Sequence, residues 1–241
     1  MSTFVFVHGA WHGAWCWSRL LPEMQARGHR SVTMDLPVDD ANATFADYAD
    51  IVLASYPAAV EDVVLVGHSL GAMVIPLVAA SRPASRLVFL CGLIPNVDGR
   101  PWDGAPPMGR PGAYQTETLD DGSSVFATFE SARFTFYADC DLQDASWAFG
   151  RLRPQNSTSL WDRPYPLRQL PETPRVAIAA LDDTAMTIEF SRAVTRPRLG
   201  VEPIEIPGGH SPFVARPAEL ADLLDQLAPA TSNEQAASER Q

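Results

Sequence analysis

Apolar and polar positions divide the chain into two kinds of segment. Six short runs are almost continuously apolar and rich in β-branched residues, and Gly, Pro or Asp bounds them. Continuous apolar runs of this length are typical of strands that are buried on both faces of a sheet. The predicted strands are 4–7, 31–36, 63–66, 87–91, 176–181 and 204–206.

Helical patterns separate these runs. Apolar residues recur there at a spacing of three and four positions, which predicts amphipathic helices. The predicted helices are 15–27, 45–55, 70–80, 188–194 and 217–227. Because strands and helices alternate, we expect an α/β fold in which a mostly parallel sheet is covered by helices on both faces.

The alternation stops between about residues 96 and 171. Prolines and aromatic residues are frequent in this stretch, and it is too long to be a plain loop inside a compact domain. We interpret it as a cap inserted over the carboxyl ends of the strands. The sequence thus predicts one domain over 1–229 with a cap over about 96–171, followed by a polar, disordered tail over 230–241.

The charged residues exclude several kinds of partner and chemistry. The formal net charge is −11, so an anionic partner such as nucleic acid or a charged membrane surface would be repelled. All 18 cationic residues are Arg. The absence of lysine excludes a Schiff base, covalently held pyridoxal phosphate and a P-loop lysine.

Cysteines and segment hydropathy suggest where the protein resides. Cys16, Cys91 and Cys140 are widely spaced and odd in number, which fits reduced thiols rather than a disulfide framework. No secretory leader or membrane-spanning segment is apparent. We therefore expect a cytoplasmic protein without a membrane partner, and the oligomeric state stays open, with a homodimer as one option.

A candidate nucleophile lies at the end of the third predicted strand. Residues 63–66 run directly into 67–71, Gly-His-Ser-Leu-Gly, and an apolar helix start follows. A strand, a sharp turn and a helix are the context in which Gly-x-Ser-x-Gly presents a nucleophilic serine. The flanking glycines avoid collisions in so tight a turn. This context favours Ser69 as a nucleophile over a serine that only caps a helix.

A serine hydroxyl needs a neighbouring base. His210 follows the last predicted strand and completes the chain order serine, acid, histidine, whereas His68 suits a packed side chain. His29 is expected in a surface turn. The acid should follow the strand 176–181, where Asp182 and Asp183 both qualify on spacing.

The loop after the first strand supplies a candidate oxyanion site. Backbone N–H groups of Leu70, next to the nucleophile, and of Ala10, in that loop, would face a developing negative charge. The alternative is a tight turn in which His8 and His12 bind a metal, but the sequence offers them no third ligand. The sequence therefore predicts no metal.

These motifs resemble a known family, the small α/β hydrolases typified by plant methyl-ester esterases and hydroxynitrile lyases. The opening stretch 4–17 is similar to the family almost residue for residue, and 67–71 matches its nucleophile turn. The resemblance extends over 4–95 and 175–224 and is faint in the cap. It implies the α/β-hydrolase fold, a catalytic triad of Ser69, His210 and Asp183, and no cofactor.

The same resemblance bears on the reaction. The lyases carry a hydroxyl residue where this chain has Gly9 and a lysine where it has Ser211. Both hallmarks are absent, so the comparison favours a carboxylic ester hydrolase that forms an acyl-enzyme with a small, neutral ester. The open alternatives are a cofactorless lyase, a thioester or lactone hydrolase, or a small-molecule-binding protein without catalysis. The residues expected to line the substrate pocket are Gly9, Trp11, Phe136 and Trp147.

Overall fold

A six-stranded parallel sheet forms the centre of the molecule. A computed structural model describes residues 1–97 and 105–229, so the predicted disordered tail and residues 98–104 of the predicted cap lie outside the described residues. In spatial order the strands are β2-β1-β3-β4-β7-β8. Their bounds are Thr3–Val7 (β1), Arg30–Thr33 (β2), Val63–His68 (β3), Arg86–Leu90 (β4), Arg175–Ala180 (β7) and Ile204–Ile206 (β8).

Helices connect the strands and cover both faces of the sheet. Two apolar clusters lie on its two sides, and alternate residues of β1 point into each: Phe4 and Phe6 into one, Val5 and Val7 into the other. This explains why the strands are apolar at every position. The helices outside the predicted cap are Leu20–Ala26 (α1), Phe45–Ala54 (α2), Ile75–Ser81 (α3), Ile188–Leu199 (α7), Pro212–Ala215 (α8) and Pro217–Gln226 (α9).

The described part of the predicted cap contains regular structure. A two-stranded antiparallel hairpin pairs Glu117–Thr118 (β5) with Ser124–Val125 (β6). Three helices follow it, and buried side chains from two of them join the apolar cluster that contains Phe4 and Phe6. The cap helices are Phe129–Phe136 (α4), Leu142–Phe149 (α5) and Thr158–Trp161 (α6).

The structure corrects the predicted bounds of several elements. The predicted helices 15–27 and 70–80 each begin as a separate 3-10 helix, Ala14–Trp17 and Ser69–Met73, before α1 and α3 start. β2 ends at Thr33 rather than at residue 36. α7 continues to Leu199 past its internal proline, and Gly200, at a φ of 73°, ends it in the left-handed conformation.

His29 is the one histidine whose predicted environment was wrong. It was expected in a surface turn, but its side chain is only 5% exposed. Its Nε2 lies 2.8 Å from Asp225 Oδ1, and the Ser2 N–H donates to its Nδ1. His29 therefore joins the amino terminus to α9, at the end of the sheet where the strands begin.

Candidate active site

Ser69 is held in a strained turn between β3 and the following 3-10 helix. Its φ is 50°, a left-handed value that non-glycine residues rarely adopt. The two flanking glycines have no room for a side chain: a Cβ on Gly67 would lie 2.6 Å from Ala72 Cα, and one on Gly71 would lie 2.4 Å from the Val7 carbonyl oxygen. The sequence around Ser69 thus fits the turn that the motif predicts.

His210 and Asp183 form a buried pair at the carboxyl ends of the neighbouring strands β7 and β8. His210 Nδ1 lies 2.7 Å from Asp183 Oδ2, and both side chains are at most 1% exposed. The other carboxylate oxygen, Oδ1, accepts hydrogen bonds of 2.8 Å from the backbone N–H groups of Ala185 and Met186. Asp182, the other candidate on spacing, is exposed. The structure therefore places Asp183, and not Asp182, against the histidine.

The hydrogen bond to Asp183 determines the tautomer of His210. A carboxylate oxygen can only accept, so Nδ1 carries a proton, and in the neutral imidazole the lone pair is on Nε2. This Nε2 is buried and has no hydrogen-bond partner among the described residues. His210 thus presents an unused proton acceptor inside the protein.

His68 connects the nucleophile turn to the loop of His210. Its Nε2 donates a 2.9 Å hydrogen bond to the backbone oxygen of His210, and the two rings lie 4.6 Å apart. Burial lowers the pKa of His68 well below its usual range, so the ring stays neutral. Since Ser69 is the next residue in the chain, His68 holds the two turns together as a packed side chain.

The loop after β1 lies directly against Ser69. A Cβ on Gly9 would be 2.8 Å from Ser69 Cβ, so only glycine leaves both in place. The Leu36 N–H donates to His8 Nε2, and His8 Nδ1 therefore donates to the Gly9 oxygen, 2.8 Å away. That bond fixes the peptide group between Gly9 and Ala10. In the described part of the chain the Ala10 N–H has no partner.

His12 holds the next peptide group of this loop. Its Nδ1 lies 2.7 Å from the Ala10 oxygen and its Nε2 lies 2.7 Å from the hydroxyl of Tyr137, a cap residue. Burial lowers the pKa of His12 to about 3 and that of His8 to about 4, so both rings are neutral near pH 7. With both nitrogens of each ring hydrogen-bonded, neither histidine offers the free lone pair that a metal would need.

Three of the four residues predicted to line the substrate pocket lie beside these groups. Gly9 contacts Ser69, the Phe136 ring stacks on the His210 ring at 5.6 Å, and Trp11 lies 5.9 Å from Phe136. Trp147 is placed elsewhere. It packs edge to face on Trp15, and the guanidinium groups of Arg19 and Arg151 lie over its ring.

One group of described residues has the composition of a metal site. Ligand atoms of Cys91, Asp183 and His210 lie within 4.8 Å of one another, and all three residues are buried. Burial and the neighbouring Asp183 charge raise the pKa of the Cys91 thiol well above its usual range. Metals bind the thiolate, and the Asp183 oxygens already accept three hydrogen bonds, so this group does not suit a metal.

Two residues that contact the site, Tyr137 and Gln155, were not predicted from the sequence. Both come from the cap, more than a hundred residues away from the loop after β1, and both hydrogen-bond to that loop or to a side chain that supports it. A polar residue in an aromatic stretch was the sole signal, and nothing in the sequence shows which distant backbone group it meets.

The known proteins that this chain resembles include hydrolases and esterases. A model of the alpha/beta hydrolase family matches residues 4–223. Among curated proteins, a probable esterase of Oryza sativa subsp. indica is 29% identical over 93% of this chain and 96% of its own length. A pyrethroid hydrolase of Sphingobium wenxiniae is 28% identical over 95% and 89%. A carbendazim hydrolyzing esterase of Nocardioides sp. is 28% identical over 94% and 100%.

Solved structures share the fold. The crystal structure of polyneuridine aldehyde esterase superposes with a TM-score of 0.79 at 22% identity, covering 95% of this chain and 100% of that one. A pyrethroid hydrolase from Sphingobium faniae gives 0.76 at 24% identity over 96% and 99%. The order of strands and helices described above is therefore that of a known hydrolase fold.

Proposed function

The chain belongs to the alpha/beta hydrolase family, and we propose that it hydrolyses small, neutral carboxylic esters through an acyl-enzyme on Ser69. The observation that carries the proposal is the buried pair of Asp183 and His210. The Nε2 atom of His210 has no hydrogen-bond partner in the described structure, and its backbone oxygen accepts a hydrogen bond from His68, the residue before Ser69. This arrangement supplies a base of fixed tautomer in the loop that contacts His68, and Ser69 in its strained turn is the residue after His68.

The proposed first step forms the acyl-enzyme. His210 Nε2 takes the proton of the Ser69 hydroxyl while the serine oxygen attacks the carbonyl carbon of the ester. The carbonyl electrons move to oxygen, and the resulting oxyanion faces the N–H groups of Ala10 and Leu70. When the carbonyl reforms, the C–O bond to the alcohol breaks, and protonated His210 gives its proton to the departing alkoxide.

The second step releases the acid. Water attacks the acyl carbon while His210 takes a proton from it. When the carbonyl reforms, the bond between the acyl carbon and the Ser69 oxygen breaks, and His210 returns its proton to that oxygen. Asp183 stabilises the protonated imidazole without taking its proton. Each proton and each acyl group passes between the substrate, Ser69, His210 and water, so the proposed reaction needs no cofactor.

The walls of the site support an uncharged substrate. The Phe136 ring stacks on His210, and Phe136, Phe126 and Trp11 pack against one another, so this side of the site is apolar. The chain's charge of −11 adds a long-range field that repels anions. The esterase names of the relatives agree with a small-molecule ester as substrate. Among the helices of the described ranges, none combines the length and the hydropathy of a membrane-spanning segment.

A panel of esters tests the proposal. We expect hydrolysis of p-nitrophenyl acetate and of neutral methyl esters. At low salt, kcat/KM should be lower for matched esters that also carry a free carboxylate. A fluorophosphonate probe should label Ser69 and stop hydrolysis. A wild-type protein that neither cleaves the panel nor reacts with the probe would contradict the proposal.

A further inference from the structure

The inserted cap holds the loop that carries the proposed oxyanion donor. Trp11, the residue after Ala10, has a φ of 59°, so its backbone adopts a left-handed conformation that an isolated tryptophan disfavours. Three hydrogen bonds from the cap surround this residue. Its N–H donates to Gln155 Oε1 at 3.2 Å, its carbonyl oxygen accepts from the Arg153 N–H at 2.8 Å, and its indole N–H donates to the Ser124 oxygen at 3.0 Å.

The peptide group between Ala10 and Trp11 is thereby fixed at both ends. Its N–H is bound by Gln155, and its carbonyl oxygen accepts from His12 Nδ1. Because a carbonyl can only accept, His12 carries its proton on Nδ1, and Tyr137 must donate its hydroxyl proton to Nε2. Two cap side chains, Gln155 directly and Tyr137 through His12, therefore determine the orientation of one peptide plane.

That plane lies next to the proposed oxyanion donor. The preceding peptide, between Gly9 and Ala10, has its carbonyl bound by His8 and leaves the Ala10 N–H without a partner in the described structure. A donor can stabilise an oxyanion strongly only if its direction is fixed before the reaction. The Ala10 N–H belongs to the Gly9–Ala10 plane, which His8 holds at its carbonyl end, and this plane shares the Ala10 Cα with the Ala10–Trp11 plane. A shift of the second plane would displace that shared Cα and tilt the Ala10 N–H away.

Burial and hydrogen bonds hold the Gln155 side chain in one orientation. Its side chain is buried, and its amide nitrogen donates to the Asn156 oxygen and to Ser157 Oγ. Its backbone exchanges two hydrogen bonds, of 2.8 and 2.9 Å, with Ser124 of β6. Both the oxygen and the nitrogen of the amide therefore take part in hydrogen bonds.

We infer that Gln155 is a positioning residue of the reaction, which acts through the Trp11 N–H to aim the Ala10 N–H at the oxyanion, with Tyr137 in a parallel role through His12. The inference rests on the proposed function. It concerns the transition state, so it predicts a loss in kcat rather than in ground-state binding. Removal of an oxyanion donor lowers kcat by about 10²- to 10³-fold, and its misalignment should cost somewhat less.

The experiment measures kcat and KM for p-nitrophenyl acetate in full-length variants, per active site titrated with a fluorophosphonate. Gln155→Met removes the acceptor at similar volume, and we expect kcat to fall about 10- to 100-fold with KM changed less than about threefold. Gln155→Glu keeps an acceptor for the Trp11 N–H but loses the donor to the Asn156 oxygen, so its kcat should lie between those of the Met variant and wild type. Tyr137→Phe removes one hydroxyl group and should lower kcat about tenfold. This variant tests the inference if Gln155→Met does not fold.

Ser159→Ala is the matched control, because it also removes a cap-to-body hydrogen bond, from Ser159 Oγ to the Ala41 oxygen, without contact to the oxyanion loop. Its kcat should stay within twofold of wild type. A folded Gln155→Met or Tyr137→Phe variant with wild-type kcat, or one whose loss lies only in KM or in the titrated fraction, would overturn the inference. If wild type itself neither reacts with the probe nor hydrolyses esters, the proposed function fails instead.

Discussion

His210 Nδ1 donates a 2.7 Å hydrogen bond to Asp183 Oδ2, and neither side chain is more than 1% exposed to solvent. Because this pair is buried, the carboxylate fixes which ring nitrogen carries the proton. Two backbone N–H groups hold the other carboxylate oxygen, so the acid itself has little freedom to turn. The catalytic proposal depends on this pair.

Replacement of the acid should therefore discriminate between the two adjacent aspartates. Asp183→Asn presents an amide to His210 and favours the wrong tautomer, so kcat for p-nitrophenyl acetate should fall by about 10⁴-fold. Asp182→Asn changes an exposed side chain and should leave kcat within about twofold. Steady-state kinetics on the two folded variants decides, and the reverse ranking would assign the role of the acid to Asp182.

The contact between Gly9 and Ser69 predicts a second catalytic effect. In Gly9→Ala the new methyl group would lie 2.8 Å from Ser69 Cβ and 3.1 Å from His68 Nδ1, so the loop or the serine must shift. A shift of about 1 Å can lower kcat about 100-fold. Gly28→Ala is the control, because Gly28 has a φ of 80° and a Cβ added there would meet no atom within 4 Å. The strained backbone should lower the free energy of unfolding by about 1 kcal/mol, and kcat should stay unchanged. Equal kcat in both variants would argue against close packing at Gly9.

Protein stability should depend on pH through the buried histidines. Burial lowers the folded-state pKa of His8 to about 4 and of His12 to about 3, whereas in the unfolded chain the value is about 6.5. Below pH 6.5 the unfolded state thus binds protons that the folded state does not. The free energy of unfolding should fall as pH is lowered from 6.5 towards 4, by up to about 1.4 kcal/mol per pH unit for each histidine, and should be unaffected by these groups above 6.5.

Urea unfolding at pH 5.5 to 7 measures this dependence. His12→Gln removes one of the three histidines, His8, His12 and His68, whose pKa burial lowers. Its slope against pH should therefore be smaller than that of wild type, by about one proton at the acid end of this range. An unchanged slope would mean that His12 is protonated in the folded protein or is not buried there.

The protein should cleave esters without acting on cyanohydrins. Departing cyanide needs a stabilising cation, and Ser211, a buried neutral residue, follows His210 in a chain that has no lysine. Gly9 offers no hydroxyl to the substrate. We expect cyanide release from mandelonitrile at the background rate in a preparation that hydrolyses p-nitrophenyl acetate. Release that is lost in Ser69→Ala would support the lyase alternative.

Local patterns were sufficient to predict the parallel α/β sheet. Its strands are short apolar runs, and their burial on both faces leaves a simple signature in the sequence. The bounds of helices were less accurate, because 3-10 turns at 14–17 and 69–73 satisfy the same apolar spacing as an α-helix. Periodicity reports which side is buried, and it does not report which hydrogen-bond pattern the backbone adopts.

A candidate site residue could be predicted when a local motif or a strand end marked its position, and not when only a contact distant in the sequence did. Ser69 lies in a contiguous motif, and Asp183 and His210 lie at strand ends that converge in this topology. Spacing left Asp182 and Asp183 equal, since the choice depends on which side chain turns inwards. Gln155 was not predicted at all, because its partner is a backbone N–H 144 positions away and no local pattern in the sequence marks that contact.

The acyl-enzyme itself is the most direct test of the account. Wild-type protein mixed with excess p-nitrophenyl acetate, quenched in acid within the first turnovers and digested, should carry one acetyl group on the peptide that contains Ser69, with a matching burst of p-nitrophenol. Ser69→Ala should show neither the acetyl group nor the burst, and its turnover should be lower by about 10⁶-fold. An acetyl group on another residue, or a Ser69→Ala protein that keeps most of its activity, would contradict the account.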